Sequence, residues 1–229
     1  MDENNNVEPA PKKPKKNRLV ILGVVAVVVV ALGIGFWQWH NTAGFCSAIC
    51  HTPMDEYYDT WANGTTDRMG NAVSNPNGML AYAHANYDEA GNAVEHGAGM
   101  QCMGCHVPTI SEQVSEAAAW VSGNYEYPLE AHTLDDLVAA RGLEDSTQFC
   151  INSGCHSDLQ EKSAFVQSTA AIDAKRNPHS MPHGDVACTE CHHGHTVSVN
   201  YCTNCHNDSV VPDGWMNAKD YKKLMGSSK

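Results

Sequence analysis

Ten cysteines fall into five pairs, and each pair is followed at once by a histidine. Cys46 and Cys50 precede His51, Cys102 and Cys105 precede His106, and Cys150 and Cys155 precede His156. Cys188 and Cys191 precede His192, Cys202 and Cys205 precede His206, and no cysteine is left over. Two thiols so placed can add across the two vinyl groups of one haem, and the adjoining imidazole becomes an axial ligand of its iron. Zinc needs four ligands per site and has no use for an invariant Cys-His step, and a disulfide framework has none either. The pattern predicts five covalently attached haem c groups. Three of the pairs have the standard two-residue gap. The wider gaps at Cys46/Cys50 and Cys150/Cys155 still leave the second cysteine beside its histidine.

Eight further histidines remain: His40, His84, His96, His132, His179, His183, His193 and His195. A second imidazole on each iron closes both axial positions and makes a low-potential centre suited to electron transfer rather than substrate chemistry. His84, His96 and His132 flank the second attachment site, and each is open as a distal ligand of the first or second haem or as a surface histidine. His193 adjoins the proximal His192, so its side chain points elsewhere, which makes it a bystander. His40 borders an apolar run and reads as interfacial. Met54, shortly after the first site, is a candidate axial ligand there, against the alternative of a soft packing residue on the haem face.

These groups have to be positioned, and the chain shows how. Residues 19–37 are uncharged and apolar. At 1.5 Å per residue they span about 28 Å, close to a hydrocarbon core. Lys12, Lys13, Lys15, Lys16 and Arg18 precede this run, and no Lys or Arg follows until Arg68. That asymmetry puts the N-terminus in the cytoplasm and the rest outside, with Trp37 and Trp39 at the outer interface. A cleaved signal peptide would carry a shorter apolar core and an A-x-A-like site. The formal charge of −12 is concentrated beyond the basic N-terminal tail, and such an acidic domain repels nucleic acid.

Beyond the anchor, aliphatic residues are few per attachment site, so porphyrin should supply much of the interior. The fold class expected is a single N-terminal transmembrane helix plus a mainly α and irregular multihaem domain with little or no sheet. Thr109-Ile-Ser-Glu112 is a capping box opening a helix through Trp120, with Gly123 beyond its end. Thr133-Leu-Asp-Asp136 opens a second, closed by Gly142, and Ser157 a third, running to the alanines near 170. Stretches 63–78 and 88–101 are rich in Gly and Asn and read as loops. The organisation expected is a basic tail at 1–18, an anchor at 19–39, a dihaem region at 40–145, a trihaem region at 146–210 and a tail at 211–229.

Two family resemblances cover different parts of the chain. The anchor, the membrane-proximal first site and Gly99-Met-Gln-Cys-Met-Gly-Cys-His-Val-Pro108 resemble the NapC/NirT membrane-anchored quinol dehydrogenases over roughly 19–125. The first site departs from that family in its gap and in the offset of Met54. Over roughly 146–208, Asn177-Pro-His-Ser-Met-Pro-His-Gly-Asp-Val-Ala-Cys-Thr-Glu-Cys-His-His-Gly-His195 resembles the haem domain of flavocytochrome c fumarate reductases. That resemblance implies His179 as distal ligand to the haem of His156, His183 to that of His192 and His195 to that of His206. The chain is also similar to the cytochrome subunits of flavin-dependent reductases of gut Actinobacteria, of the cardiac glycoside reductase type. Together these imply electrons taken from the menaquinol pool at the bilayer and passed to a separate extracytoplasmic flavoprotein reductase in anaerobic respiration. The chain has no GxGxxG of its own. Quinol oxidation releases two protons, and Asp55 or Glu56, directly after the first site, are candidate acceptors. Alternatives are a terminal nitrite or metal reductase, which needs an open iron position, and a tethered carrier without quinol activity.

Overall fold

A helix that is apolar all round has no face to turn towards a core, and α1 (Lys16–His40) is such a helix. Its large apolar side chains are exposed, from 43 % for Trp39 to 72 % for Leu19. Residues 17–40 make the one segment, among those described, long and apolar enough to cross a membrane. The computed structural model describes residues 16–88, 90–95, 97–127, 132–152, 154–180, 182–184 and 186–227. The basic tail up to residue 15, His96 and the side chain of His51 lie outside the described residues.

Residues 41–229 form a second unit of short helices joined by turns. In order these are α2 (Ala43–Ile49), α3 (His51–Ala62), α4 (Leu80–Asn86), α5 (Cys102–Cys105) and α6 (Ile110–Ser122). There follow α7 (Leu134–Ala140), α8 (Ser146–Cys150), α9 (Lys162–Ser168) and α10 (Ala218–Ser227). The only sheet among the described residues pairs two-residue strands in parallel, β1 (Val199–Asn200) with β2 (Met216–Asn217). Several helix starts follow from local chemistry. Thr109 and Glu112 close a reciprocal capping box on α6, and Gly123 ends that helix at φ 73°. Thr133 and Asp136 do the same for α7, and the Asp145 carboxylate accepts from the Thr147 and Gln148 amides at the start of α8. The single helix expected from Ser157 is instead a 3-10 turn (Ser157–Leu159) followed by α9, because Glu161 is extended and breaks the run.

The loops are more ordered than their composition suggests. Asp67-Arg-Met-Gly-Asn-Ala-Val73 and Asp88-Glu-Ala-Gly-Asn-Ala-Val94 are a local repeat that builds the same turn twice. In the first, Asp67 Oδ1 accepts from the amides of Met69 and Asn71, both at 2.9 Å. In the second, Asp88 Oδ1 accepts from those of Ala90 and Asn92 at 3.0 and 2.8 Å. Gly70 and Gly91 supply the left-handed residue in each. The first turn is functional scaffolding, since its Arg68 amide donates to the His195 carbonyl at 2.9 Å.

Asp59, at the end of α3, ties this region together by accepting from Asn63, Thr65 and Thr66. Partial burial alone would raise its pKa, but hydrogen bonds from Asn63, Thr66 and Thr65 outweigh it and hold the carboxyl below 3.8. A depressed carboxylate stabilises the fold above its unfolded value and loses that contribution as pH falls through the folded one. Asp59→Asn should therefore be less stable than the natural chain at neutral pH. The gap, read by far-UV circular dichroism melts, should shrink as pH falls below 3.8.

The apolar core is thin. Among the described residues it consists of Ala43, Trp61, Ala62, Met79, Ala85, Val138, Val197, Val199 and Ala218, with Trp61 its only aromatic side chain. Ala43, Trp61, Ala62 and Ala85 pack together with Cys102 at their edge. Most small domains of this length bury far more aliphatic surface, so a large apolar cofactor fits the deficit. One close approach holds this cluster in register. A Cβ on Gly99 would lie 2.3 Å from the His84 carbonyl oxygen and 2.7 Å from that of Ala85. Gly99→Ala should push the second attachment site away from α4 and lower stability by about 1–3 kcal/mol, measured by denaturant melts.

Candidate haem sites

Each attachment segment begins in a short helix or turn that carries at least its first cysteine. Cys46 is in α2, both thiols of the second pair are in α5, and Cys150 ends α8. Cys188 and Cys202 lie in single 3-10 turns. None of the ten cysteines is paired with another in a disulfide, and no group of three or more metal-ligating side chains gathers among the described residues.

The histidines, by contrast, are gathered in twos. Ring centres lie 6.0 Å apart for His84 and His156, and 6.2 Å for His106 and His195. They lie 6.4 Å apart for His179 and His192, and 6.0 Å for His183 and His206. In every case one partner follows a cysteine pair and the other does not. Two imidazoles on one metal, each bound at about 2 Å, have ring centres roughly 6 Å apart. The residues present therefore fit a haem iron between each pair.

Hydrogen bonds set the distal rings for this role. His84 Nδ1 donates to the Leu80 carbonyl at 2.8 Å, and His179 Nδ1 to that of Phe165 at 3.0 Å. Thr60 donates its own hydroxyl proton to the Tyr57 carbonyl at 2.7 Å. Its oxygen then accepts from His195 Nδ1 at 2.6 Å. Each bond holds the proton on Nδ1 and leaves the Nε2 lone pair for a metal. Burial, with His106 and Arg68 adding, drives His195 to about 3, and burial with His179 adding drives His192 to about 4. Both rings are thus neutral, the form that binds metal.

The pairing differs from the one the flavocytochrome resemblance implies. His179 lies beside His192 rather than His156, His183 beside His206 rather than His192, and His195 beside His106 rather than His206. His84, open in the sequence between the first two sites, lies beside His156 of the third. The reason is tertiary: α4 and the turn at Arg68 carry the N-terminal half against the segment around His195. His132 is exposed and 3.9 Å from the Asp136 carboxylate. His193 stacks on Tyr221 with ring centres 4.7 Å apart. His40 stacks on Trp37 within α1.

At the first site Met54 is half-buried on α3, Asp55 is exposed, and the Glu56 carboxylate accepts from the Tyr127 hydroxyl at 3.2 Å. Two residues not apparent from the sequence join the sites. Thr60 orients His195, and Glu116 of α6 lies close to Cys46 and Cys50. Partial burial, then the charge of Glu112, raises Glu116 itself. Neither carries a local motif.

Successive sites adjoin one another. The Cys46 and Cys102 side chains are neighbours, and the Ala43 amide donates to Gln101 at 3.1 Å. Arg141 links the second and third, donating to the Cys105 carbonyl at 2.8 Å and lying 5.3 Å from the centre of the Phe149 ring. The Cys150 and Cys188 side chains are neighbours, and the Cys188 amide donates to Ser146 at 2.9 Å. The Val199 amide, donating to the Cys191 carbonyl at 2.8 Å, leads directly into the fifth segment.

Paired cysteines, each pair with its adjoining histidine, and imidazoles matched across gaps the size of one metal define a multihaem c-type cytochrome that carries electrons on covalent haem c. A match to the cytochrome c3 family covers residues 94–207. The chain belongs to the family of cytochrome c-type protein Cgr1 from Eggerthella lenta, to which it is 44 % identical over 221 residues, 95 % of this chain and 94 % of that one. It is also 33 % identical over 73 residues to the probable fumarate reductase Ifc3 of Shewanella frigidimarina, a stretch covering 31 % of this chain and 12 % of that protein. No solved structure matches it.

Proposed function

We propose that the protein binds five haem c groups and conducts electrons from membrane menaquinol, through sites that follow one another in space as in sequence, to an extracytoplasmic flavoprotein reductase. The observation that carries this reading is the run of contacts joining consecutive attachment sites. In this reading His84, His106, His156, His179, His183, His192, His195 and His206 close both axial positions of four irons. His51 binds the remaining one, with Met54 as its second ligand. His132 is left as a surface histidine.

The apolar helix α1 serves as an uncleaved anchor with the N-terminus inside, and Cys46 follows its last residue by six positions. That connection keeps the first site near the headgroups, where a quinol presents its ring. Asp55 and Glu56 accept the protons released there. The NapC/NirT resemblance supports the quinol step, and the likeness to a probable fumarate reductase supports a flavin-dependent partner.

The test is anaerobic mixing of the oxidised protein in liposomes with a menaquinol analogue while the haem spectrum is recorded, followed by dithionite. Rapid reduction by the quinol is expected, with a slower rate in the Asp55→Asn, Glu56→Gln variant. Reduction by dithionite alone would make the protein a tethered carrier supplied by another donor.

A further inference from the structure

We propose that α6 lies in the membrane interface with Ile110, Val114 and Val121 against lipid, so that the first attachment site is held to the bilayer by a second contact besides the anchor. The proposal rests on the reading of α1 as a membrane anchor.

These three side chains project from one side of α6, within about 40° of one another around the helix axis. They are 80 %, 64 % and 78 % exposed, and Val107, just before the helix, is 56 % exposed. Leu19, in the apolar span itself, is 72 % exposed. No residue of α6 is buried, so the stripe is not covered by the rest of the domain. Glu116 faces the first site, close to Cys46 and Cys50, while Gln113 and Ala119 are half-buried.

The surroundings of the stripe suit lipid better than water or a protein surface. Trp120, Tyr125 and Tyr127 follow it at 36 %, 37 % and 53 % exposure, the residue types that settle at headgroup level. Ala117 continues the stripe, and the two charged residues of α6, Glu112 and Glu116, project from the opposite side of the helix. No Lys or Arg lies between Arg68 and Arg141. Attraction to anionic lipid is therefore not the driving force, and the contact should be insensitive to salt.

The chain also keeps α6 within reach. Cys46 comes six positions after His40, a link of about 20 Å at full extension. A helix resting on that site adds only its own diameter, about 10 Å. A soluble partner or a second copy of the chain would place no such tether next to an apolar stripe.

The test uses the full haem-loaded chain in nanodiscs containing a diazirine phospholipid, with adducts mapped by mass spectrometry after illumination. Adducts are expected on the 19–37 span and on the 107–122 segment, at low and high salt alike. In the Ile110→Glu, Val121→Glu variant the second set should fall about tenfold while the first and the haem absorbance persist. A labelled span with an unlabelled 107–122 segment would overturn the proposal and leave the anchor standing. An unlabelled span would remove the anchor and the proposal with it. Loss of labelling on the segment through dimerisation would assign the stripe to a second copy and overturn the lipid contact.

Discussion

Replacing His84 with alanine should turn one low-spin haem into a high-spin, carbon monoxide-binding one, without changing the number of haems. The ring of His84 lies 6.0 Å from that of His156, and its Nδ1 is held by the Leu80 carbonyl at 2.8 Å. Removing an imidazole so placed opens an axial position on one iron only. The assignment to the third site has its own check. In a background lacking that site through Cys150→Ser and Cys155→Ser, His84→Ala should add no new high-spin signal. A signal that persists there would return His84 to the first or second site. His179→Ala in the same background should still produce one, because His179 lies beside His192 of the fourth site. Electron paramagnetic resonance of the oxidised protein, with pyridine haemochrome counts as control, reads all three variants.

The third site is also where interruption should cost most. Just before its cysteines, Arg141 holds the Cys105 carbonyl of the second site and Ser146 holds the Cys188 amide of the fourth. The Cys150→Ser, Cys155→Ser variant should keep four haems, all reducible by dithionite. Menaquinol should then reduce about half of them quickly, those of the first and second sites, and the remainder far more slowly. The measurement is the amplitude of the fast absorbance phase divided by the dithionite amplitude. Equal fast amplitudes in the variant and the natural chain would show that electrons bypass the third segment. Removing the fifth site, through Cys202→Ser and Cys205→Ser, is the matching control, since it should leave every remaining haem in the fast phase.

Much of this protein was legible in its residues because the chemistry is local. A thioether site needs two thiols and an imidazole within a few positions, so the attachment sites could be read without any fold. An apolar run of bilayer length, the two threonine capping boxes and the near absence of sheet are likewise properties of short windows, and the structure has them. The third helix shows the limit of such windows. Its composition favours a helix throughout, yet the extended backbone of Glu161 divides it.

What the sequence could not determine is which distant side chains meet. Nothing in the spacing of His84 and His156 brings them together. That depends on Gly99 allowing the second site to close on α4, on the amides of Leu80 and Ala81 pairing with the His193 and Gly194 carbonyls, and on Thr60 reaching across to His195. A family pattern transferred by spacing alone therefore named His179, His183 and His195 as distal histidines and gave each a different neighbour from the one it has in the fold. Residue types determined which cofactor the chain can take. Packing determined which imidazoles face each other across it, because that depends on contacts between segments tens of positions apart.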